Sequence, residues 1–501
     1  MRAKKIALNS ITRFIHQVVI VAAGLILPRL TLSYFGSEYN AVVASITQLL
    51  GYISLLAAGV GGVTVAALYQ PLAEGDAART SSIIRATEGF MRKVAIIFIG
   101  FLIAMAALYP MLVSNDFNWF FVFSLALILG SGTFIQYYFG ITYKLLLSAD
   151  QRSYLYTLVQ ICAVILNTGI SVYLILTGYE IRIVYLISAI VFAINPVFIY
   201  YYIRRRYNID HSASPDNSAI KQRWDAFAHQ IAGFVNANTP IVVLTVFAGI
   251  WEVAVYVIYF MIIKAIRVLI IELSGSGMDA AFGNMLAKSE HKALQKGLRI
   301  YEFTTHSLST LLLACTAVLI VPFVSVYTLG IDDVDYYRPL FALLACIAEF
   351  FFAARSPYQA IINAAGHFRQ TRNAAFVEIG INITISVILV QWLGLVGAII
   401  GILCSLVFRT VVFAVYVSRN IVVRSMWVFA RRMLVSLLTA GMILAVAQLL
   451  PEMAEITYIS WILYALPVFG IAVGVTALST LLFYREEAWI LWEKVRSLIR
   501  G

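Results

Sequence analysis

Long apolar windows separated by short polar turns set the pattern of this chain. About fourteen windows of roughly 20 residues qualify as membrane spans. They fall at 6–32, 39–68, 94–113, 119–141, 154–176, 183–203, 226–247, 253–275, 303–328, 339–363, 374–393, 395–417, 433–450 and 461–483. Turns such as Phe35-Gly36-Ser37-Glu38, Thr177-Gly178-Tyr179-Glu180 and Gly330-Ile331-Asp332-Asp333 mark the breaks. The pattern predicts an all-α polytopic membrane protein. Between windows, 69–93 sets Ile83, Ile84, Thr87, Phe90 and Met91 on one face, which reads as an interfacial helix. The tail 484–501 sets Trp489, Trp492 and Ile499 opposite Lys494, Arg496 and Arg500, a second interfacial helix. Residues 206–225, rich in Ser, Asn and basic side chains, read as a linker between an N-terminal lobe (1–205) and a C-terminal lobe (226–418). Residues 419–501 hold the last two spans and the tail.

Composition excludes a soluble protein: of 501 residues 61% are hydrophobic and 12% charged. The net charge of +11 therefore points to basic cytoplasmic loops rather than to nucleic acid. Of 36 Lys and Arg, 28 fall in the odd-side loops and termini if the N-terminus is cytoplasmic, against Arg29, Arg182 and Arg338 outside. This bias predicts both termini in the cytoplasm. The opening MRAKK and its apolar run are too long for a signal peptide and read as a retained first span. Cys162, Cys315, Cys346 and Cys404 lie inside apolar windows with no C-x-x-C pair, so neither disulfide nor metal site is expected. No P-loop and no cofactor motif is present, and no cofactor is expected.

The two halves echo each other. Phe14, His16 and Gln17 return as Phe227, His229 and Gln230, and Gly36, Ala41 and Val42 as Gly249, Ala254 and Val255, all 213 residues later. N-x-x-I-S-V-x-L at Asn167–Leu174 returns at Asn382–Leu389, and Tyr143 and Ala149 return as Tyr358 and Ala364, 215 residues later. Six spans per copy is an even number, so the copies share one orientation. The expectation is two six-helix lobes related by a parallel repeat, plus two extra C-terminal helices.

Charges inside the apolar windows are the candidate chemistry. Lys264 sits near the middle of YVIYFMIIKAIRVLIIELSG (Tyr256–Gly275), where an unpartnered charge costs on the order of 2.5–3.5 kcal/mol. Arg267 and Glu272 share its face; they either snorkel toward headgroups or line the same polar cavity. In the first span Asn9, Arg13, His16 and Gln17 lie on one face, with snorkelling and cavity lining as equal readings. In the seventh, His229, Asn236, Asn238 and Pro240 offer sugar-binding groups or interhelical glue. Glu349 is a candidate for ion coupling with Glu272, Arg355 and Arg409 add positive charge, and Glu378 near a window's start suits a helix-terminus role.

Three motifs carry a family resemblance: ILPRLTLSYFGSEYNA (Ile26–Ala41), YKLLLSADQR (Tyr143–Arg152) and YQAIINAAGHFRQ (Tyr358–Gln370). With the six-plus-six-plus-two layout, essentially the whole chain resembles the O-antigen and capsular polysaccharide flippases of the multidrug/oligosaccharidyl-lipid/polysaccharide exporter superfamily. The resemblance implies a central cationic cavity in the bacterial inner membrane. It implies transfer of an undecaprenyl-pyrophosphate-linked oligosaccharide from the cytoplasmic to the periplasmic leaflet, without enzymatic chemistry. Membrane lipids are then partners, and glycan polymerase or assembly proteins candidate partners. The family lends no strict catalytic motif, so the site candidates are this chain's own charges. Two other classes stay open: an ion-coupled multidrug or metabolite antiporter, for which acidic cavity residues would be expected, and a membrane glycan polymerase or ligase, for which a large outer loop would be expected.

Overall fold

The computed structural model describes residues 2–112, 117–207, 209–210, 212–217, 234, 238–275, 278–451, 453 and 455–500. Every regular element among them is helical. In hydrocarbon a backbone must satisfy its own N–H and C=O groups, and a helix does so within one segment. The chain divides into two compact units, Met1–Ala254 and Val255–Gly501.

The first unit holds α1 (Arg2–Phe35), α2 (Ser37–Gly51), α3 (Ser54–Glu74), α4 (Ala77–Leu108) and α5 (Trp119–Ile135). A π turn, Gln136–Gly140, joins α5 to α6 (Ile141–Ala149); α7 (Ser153–Leu176), α8 (Ile181–Arg206) and the short α9 (Asn238–Phe247) follow. The expected span 39–68 is broken, because the Tyr52 and Ile53 amides bond to Leu49 and Leu50 three residues back and tighten the turn. The expected interfacial helix at 69–93 is corrected. From Ala77 the chain runs straight into the third span as α4, with the Asp76 carboxylate accepting the Arg79 amide at 2.9 Å as its N-cap. Ile83, Ile84, Thr87 and Met91 are buried, with Ile83 and Ile84 packed with Leu68, Tyr143, Leu147 and Ile203. The apolar face is there, but protein covers it rather than headgroups.

The second unit holds most of α10 (Ile250–Gly275), then α11 (Met278–Ala287), α12 (His291–Tyr327), α13 (Pro339–Ala354) and α14 (Ser356–Ala364). They are followed by α15 (Phe368–Asn420), α16 (Trp427–Ala447), α17 (Tyr458–Phe483) and α18 (Arg485–Arg500). The turn before α13 is pinned by the Tyr259 hydroxyl donating to the Tyr336 carbonyl at 2.8 Å. There Asp335 accepts the Tyr337 amide and pairs with Arg338, which hold its pKa below the ordinary carboxylate value. α17 turns Ile459, Leu463, Leu466 and Leu482 outward, as a lipid-facing helix must. α18 is helical as expected, with Trp489 and Trp492 exposed.

Twelve helices among the described residues are long and apolar enough to cross a membrane. One of them, α15, carries two expected spans folded at Gly394, whose φ of 52° and ψ of −126° are not helical. Half of the expected seventh span, with its His229 and Asn236, lies outside the described residues.

The repeat reaches the backbone. Positive φ occurs at Gly36, Gly75, Gln151, Gly178, Gly249, Ser289, Gly330, Gly366 and Gly394. Gly36 matches Gly249, Gly75 matches Ser289, Gln151 matches Gly366 and Gly178 matches Gly394, at offsets drifting from 213 to 216 residues. Gly330 is left over, and its counterpart at the flanking offsets of 214–215 falls at 115–116, outside the described residues. Side chains follow the same register. The Tyr143 hydroxyl donates to buried Glu88 at 2.5 Å, while the matching Tyr358, equally buried, makes no hydrogen bond among the described residues. Asn167 and Ser171 are buried, and so are Asn382 and Ser386.

Candidate functional site

In the second unit the structure gathers the intramembrane charges into a belt. Arg267 Nη1 on α10 reaches Glu349 on α13, 3.2 Å from Oε1 and 3.4 Å from Oε2. One turn on, the Phe352 ring lies 4.7 Å from the guanidinium carbons of both Arg267 and Arg355. Arg355, at the α13–α14 joint, donates to Glu378 Oε1 at 2.8 Å, and Arg409 stands 3.1 Å from Glu378 Oε2. Gly394 is what allows this last pair, because it folds α15 so that Glu378 and Arg409, on opposite arms, meet. Lys264 enters no ion pair among the described residues; its nitrogen lies 5.9 Å from the Phe260 ring.

The belt is unbalanced. Four cations, Lys264, Arg267, Arg355 and Arg409, face two carboxylates, Glu349 and Glu378. The Nε groups of Arg355 and Arg409 are buried with no hydrogen-bond partner among the described residues. Buried donors of this kind each cost about 1–3 kcal/mol until an acceptor arrives. An anion with several oxygens suits them, since guanidinium groups bind such oxygens in pairs.

The remaining candidates divide. Glu272 is exposed and joins no ion pair among the described residues. The helix-terminus role expected for Glu378 is corrected: α15 begins ten residues earlier, at Phe368, and Glu378 is 2% exposed between two arginines. Arg13 and Gln17 are exposed on α1 and His16 is half-buried. Asn9 is tied down, donating to the Gln151 carbonyl at 3.1 Å and accepting the Tyr154 amide at 2.7 Å, so it fixes the start of α7. Asn238 donates to the Phe234 carbonyl at 2.6 Å.

Two groups of residues were not anticipated. Glu302, fully buried on α12, takes a bidentate bond from Arg424 and stands 3.6 Å from Arg432 on α16. Arg432 then reaches Glu487 at 3.5 Å, and Arg299 grips Glu487 at 2.8 Å and Glu486 at 2.7 Å, tying α18 to α12 and α16. Glu302 and Arg299 fell in a stretch read as a loop, which hid them. In the first unit, Gln136, Lys144, Gln160 and Asn195 line a cavity; single polar residues in apolar windows were the overlooked signal for the three carboxamides, while Lys144 fell between windows.

No protein-family model matches the sequence, and no curated protein does. Solved structures do match. The chain superposes on the lipid II flippase MurJ in an inward closed conformation with a TM-score of 0.71 and 14% identity, over 95% of this chain and 98% of that one. It superposes on an inward-facing multidrug resistance MATE family transporter of the MOP superfamily with a TM-score of 0.62 and 14% identity, over 82% and 98%. A MOP superfamily transporter from Pyrococcus furiosus, described by the reverse polarity of its binding pocket, gives 0.57 and 17%, over 82% and 94%. The chain has the fold of these transporters.

Proposed function

We propose that this chain is a transporter that moves a lipid-linked oligosaccharide across the bacterial inner membrane, from the cytoplasmic to the periplasmic leaflet. The observation that carries the reading is the unbalanced belt, with its unpaired Lys264 and its two orphaned guanidinium Nε groups. A pyrophosphate supplies the missing negative charge and the acceptor oxygens. The isoprenoid tail needs no polar cavity and stays in lipid. Two features of the comparisons support the reading. One neighbour is itself a lipid II flippase. The share of this chain superposed on that flippase exceeds the share superposed on the MATE transporter by about 65 residues, close to the length of α16–α18. An antiporter for cationic drugs is disfavoured by the belt's excess of positive charge, which would repel them.

Lys264→Ala is the deciding variant, because Lys264 holds no ion pair and its loss leaves nothing buried without a partner. Surface glycan is expected to vanish while the amount of protein in the membrane stays near wild type. Normal glycan in this variant would remove the belt from the mechanism. Arg267→Ala is less informative, since it strands Glu349 and lowers stability as well.

A further inference from the structure

A half-open cavity of about 410 Å³ lies within the first unit, lined by residues of α1, α5, the π turn, α6, α7 and α8. Along α7 its lining recurs at Tyr156, Gln160, Asn167, Ser171 and Ile175. First and last are 19 positions apart, roughly 28 Å of helix axis, so the cavity is a slot. Carboxamides and hydroxyls run along it: Gln136, Gln160, Asn167 and Asn195, then Ser171 and Ser188. Among the described residues its lining holds one charged side chain, Lys144, and no carboxylate.

Lys144 is the fourth residue of α6 and is exposed. Here its ammonium lies 4.8 Å from the centre of the Tyr156 ring, a wall of the slot, and it joins no ion pair among the described residues. His16, half-buried on α1, is within electrostatic reach of Lys144, and its Nε2 is buried without a hydrogen-bond partner. Asn195 is 2% exposed; one end of its carboxamide bonds to Gln160 and the other, Oδ1, has no partner. Turning both carboxamides over keeps their mutual bond and presents an NH₂ instead, so this end serves as acceptor or donor. The π turn carries Gln136 into the slot's lining, a geometry frequent at functional sites. It depends on Gly140, where a Cβ would stand 2.9 Å from Pro196 Cβ.

Lys144 is an exposed cation at the slot's mouth without an ion pair, and Asn195 Oδ1 is the one orphaned carboxamide atom of the row among the described residues, costly until a complementary group joins it. A neutral sugar makes no use of the Lys144 charge. A halide uses the Lys144 end and none of the row. A cation is repelled. We propose that the slot binds a small hydroxylated monoanion, a sugar acid, with its carboxylate on Lys144 and its hydroxyls on the carboxamides and serines of α7 and α8. The choice of a sugar acid leans on the glycolipid reading; the slot itself does not.

The test titrates the purified full-length protein in detergent with glucuronate, glucose and chloride by calorimetry. Glucuronate is expected to bind, and Lys144→Gln and Asn195→Leu each to weaken it by about tenfold or more, with unchanged melting temperatures. Lys144→Arg should retain binding, which separates charge from folding. Lys264→Ala protein should bind glucuronate as wild type does, so this proposal and the belt's role fail independently. Equal binding to wild type and Lys144→Gln, glucose binding as tight as glucuronate, heat from chloride alone, or no binding at all would each overturn the proposal.

Discussion

Glu378 is one carboxylate shared by two guanidinium groups, all three almost enclosed by protein. A buried charge that loses its partner is costlier than a buried pair that never formed. Glu378→Gln leaves Arg355 and Arg409 facing each other, and a loss of about 3–5 kcal/mol is expected, read as a fall in the melting temperature in detergent. Glu378→Gln with Arg409→Met should regain most of that loss, because the repelling pair is gone. Additive losses in the double variant would mean that the three residues do not act as a unit. The legible charges were those in the middle of an apolar window, Lys264, Arg267 and Glu349, where any charge stands out. Glu378 was seen but misplaced, because Arg369, Gln370 and Arg372 look like a loop and are in fact the first turn of α15. Glu88 and Glu302 were overlooked for the same reason: both lie on polar helical extensions that carry α4 and α12 beyond their apolar windows.

At the scale of elements, α4 is held by a tyrosine of α6, whereas the matching tyrosine of α14 makes no hydrogen bond among the described residues. Glu88 accepts from Tyr143 and is 3.7 Å from the half-buried Arg85, whereas Glu302 is satisfied by Arg424 and Arg432. Tyr143→Phe is therefore expected to cost about 1.5–3 kcal/mol, the worth of a hydrogen bond to a charged group. Tyr358→Phe should cost less, since two guanidinium groups continue to satisfy Glu302. Melting temperatures of the two variants test the order, and a larger loss for Tyr358→Phe would contradict it. The elements were legible as apolar windows with errors at their ends. The break at Tyr52, the merger at Gly394 and the length of α4 depend on hydrogen bonds, a backbone angle and buried partners, none of which has a hydropathy signature.

For the whole molecule, the Lys and Arg bias of 28 against 3 predicts both termini on the cytoplasmic side and the Asp332–Asp335 turn outside. Reporter fusions after Gly330 and Gly501 should report opposite sides; agreement between them would remove this topology. The duplication was legible from a handful of anchors, Gly36 and Gly249 among them, but the other matched corners were not, because a left-handed residue leaves no trace in composition. At two of those corners the two halves share a backbone conformation while differing in residue. Where one copy keeps glycine at Gly366 and Gly75, the other carries Gln151 and Ser289 in the same left-handed conformation. An L side chain there costs about 1–2 kcal/mol that glycine avoids. Gln151→Gly and Ser289→Gly are thus expected to raise the melting temperature, with no change in what the protein carries. Each half of the chain then serves as a template for stabilising the other, and two substitutions that no binding site would suggest become the first ones to make in preparing the protein for purification.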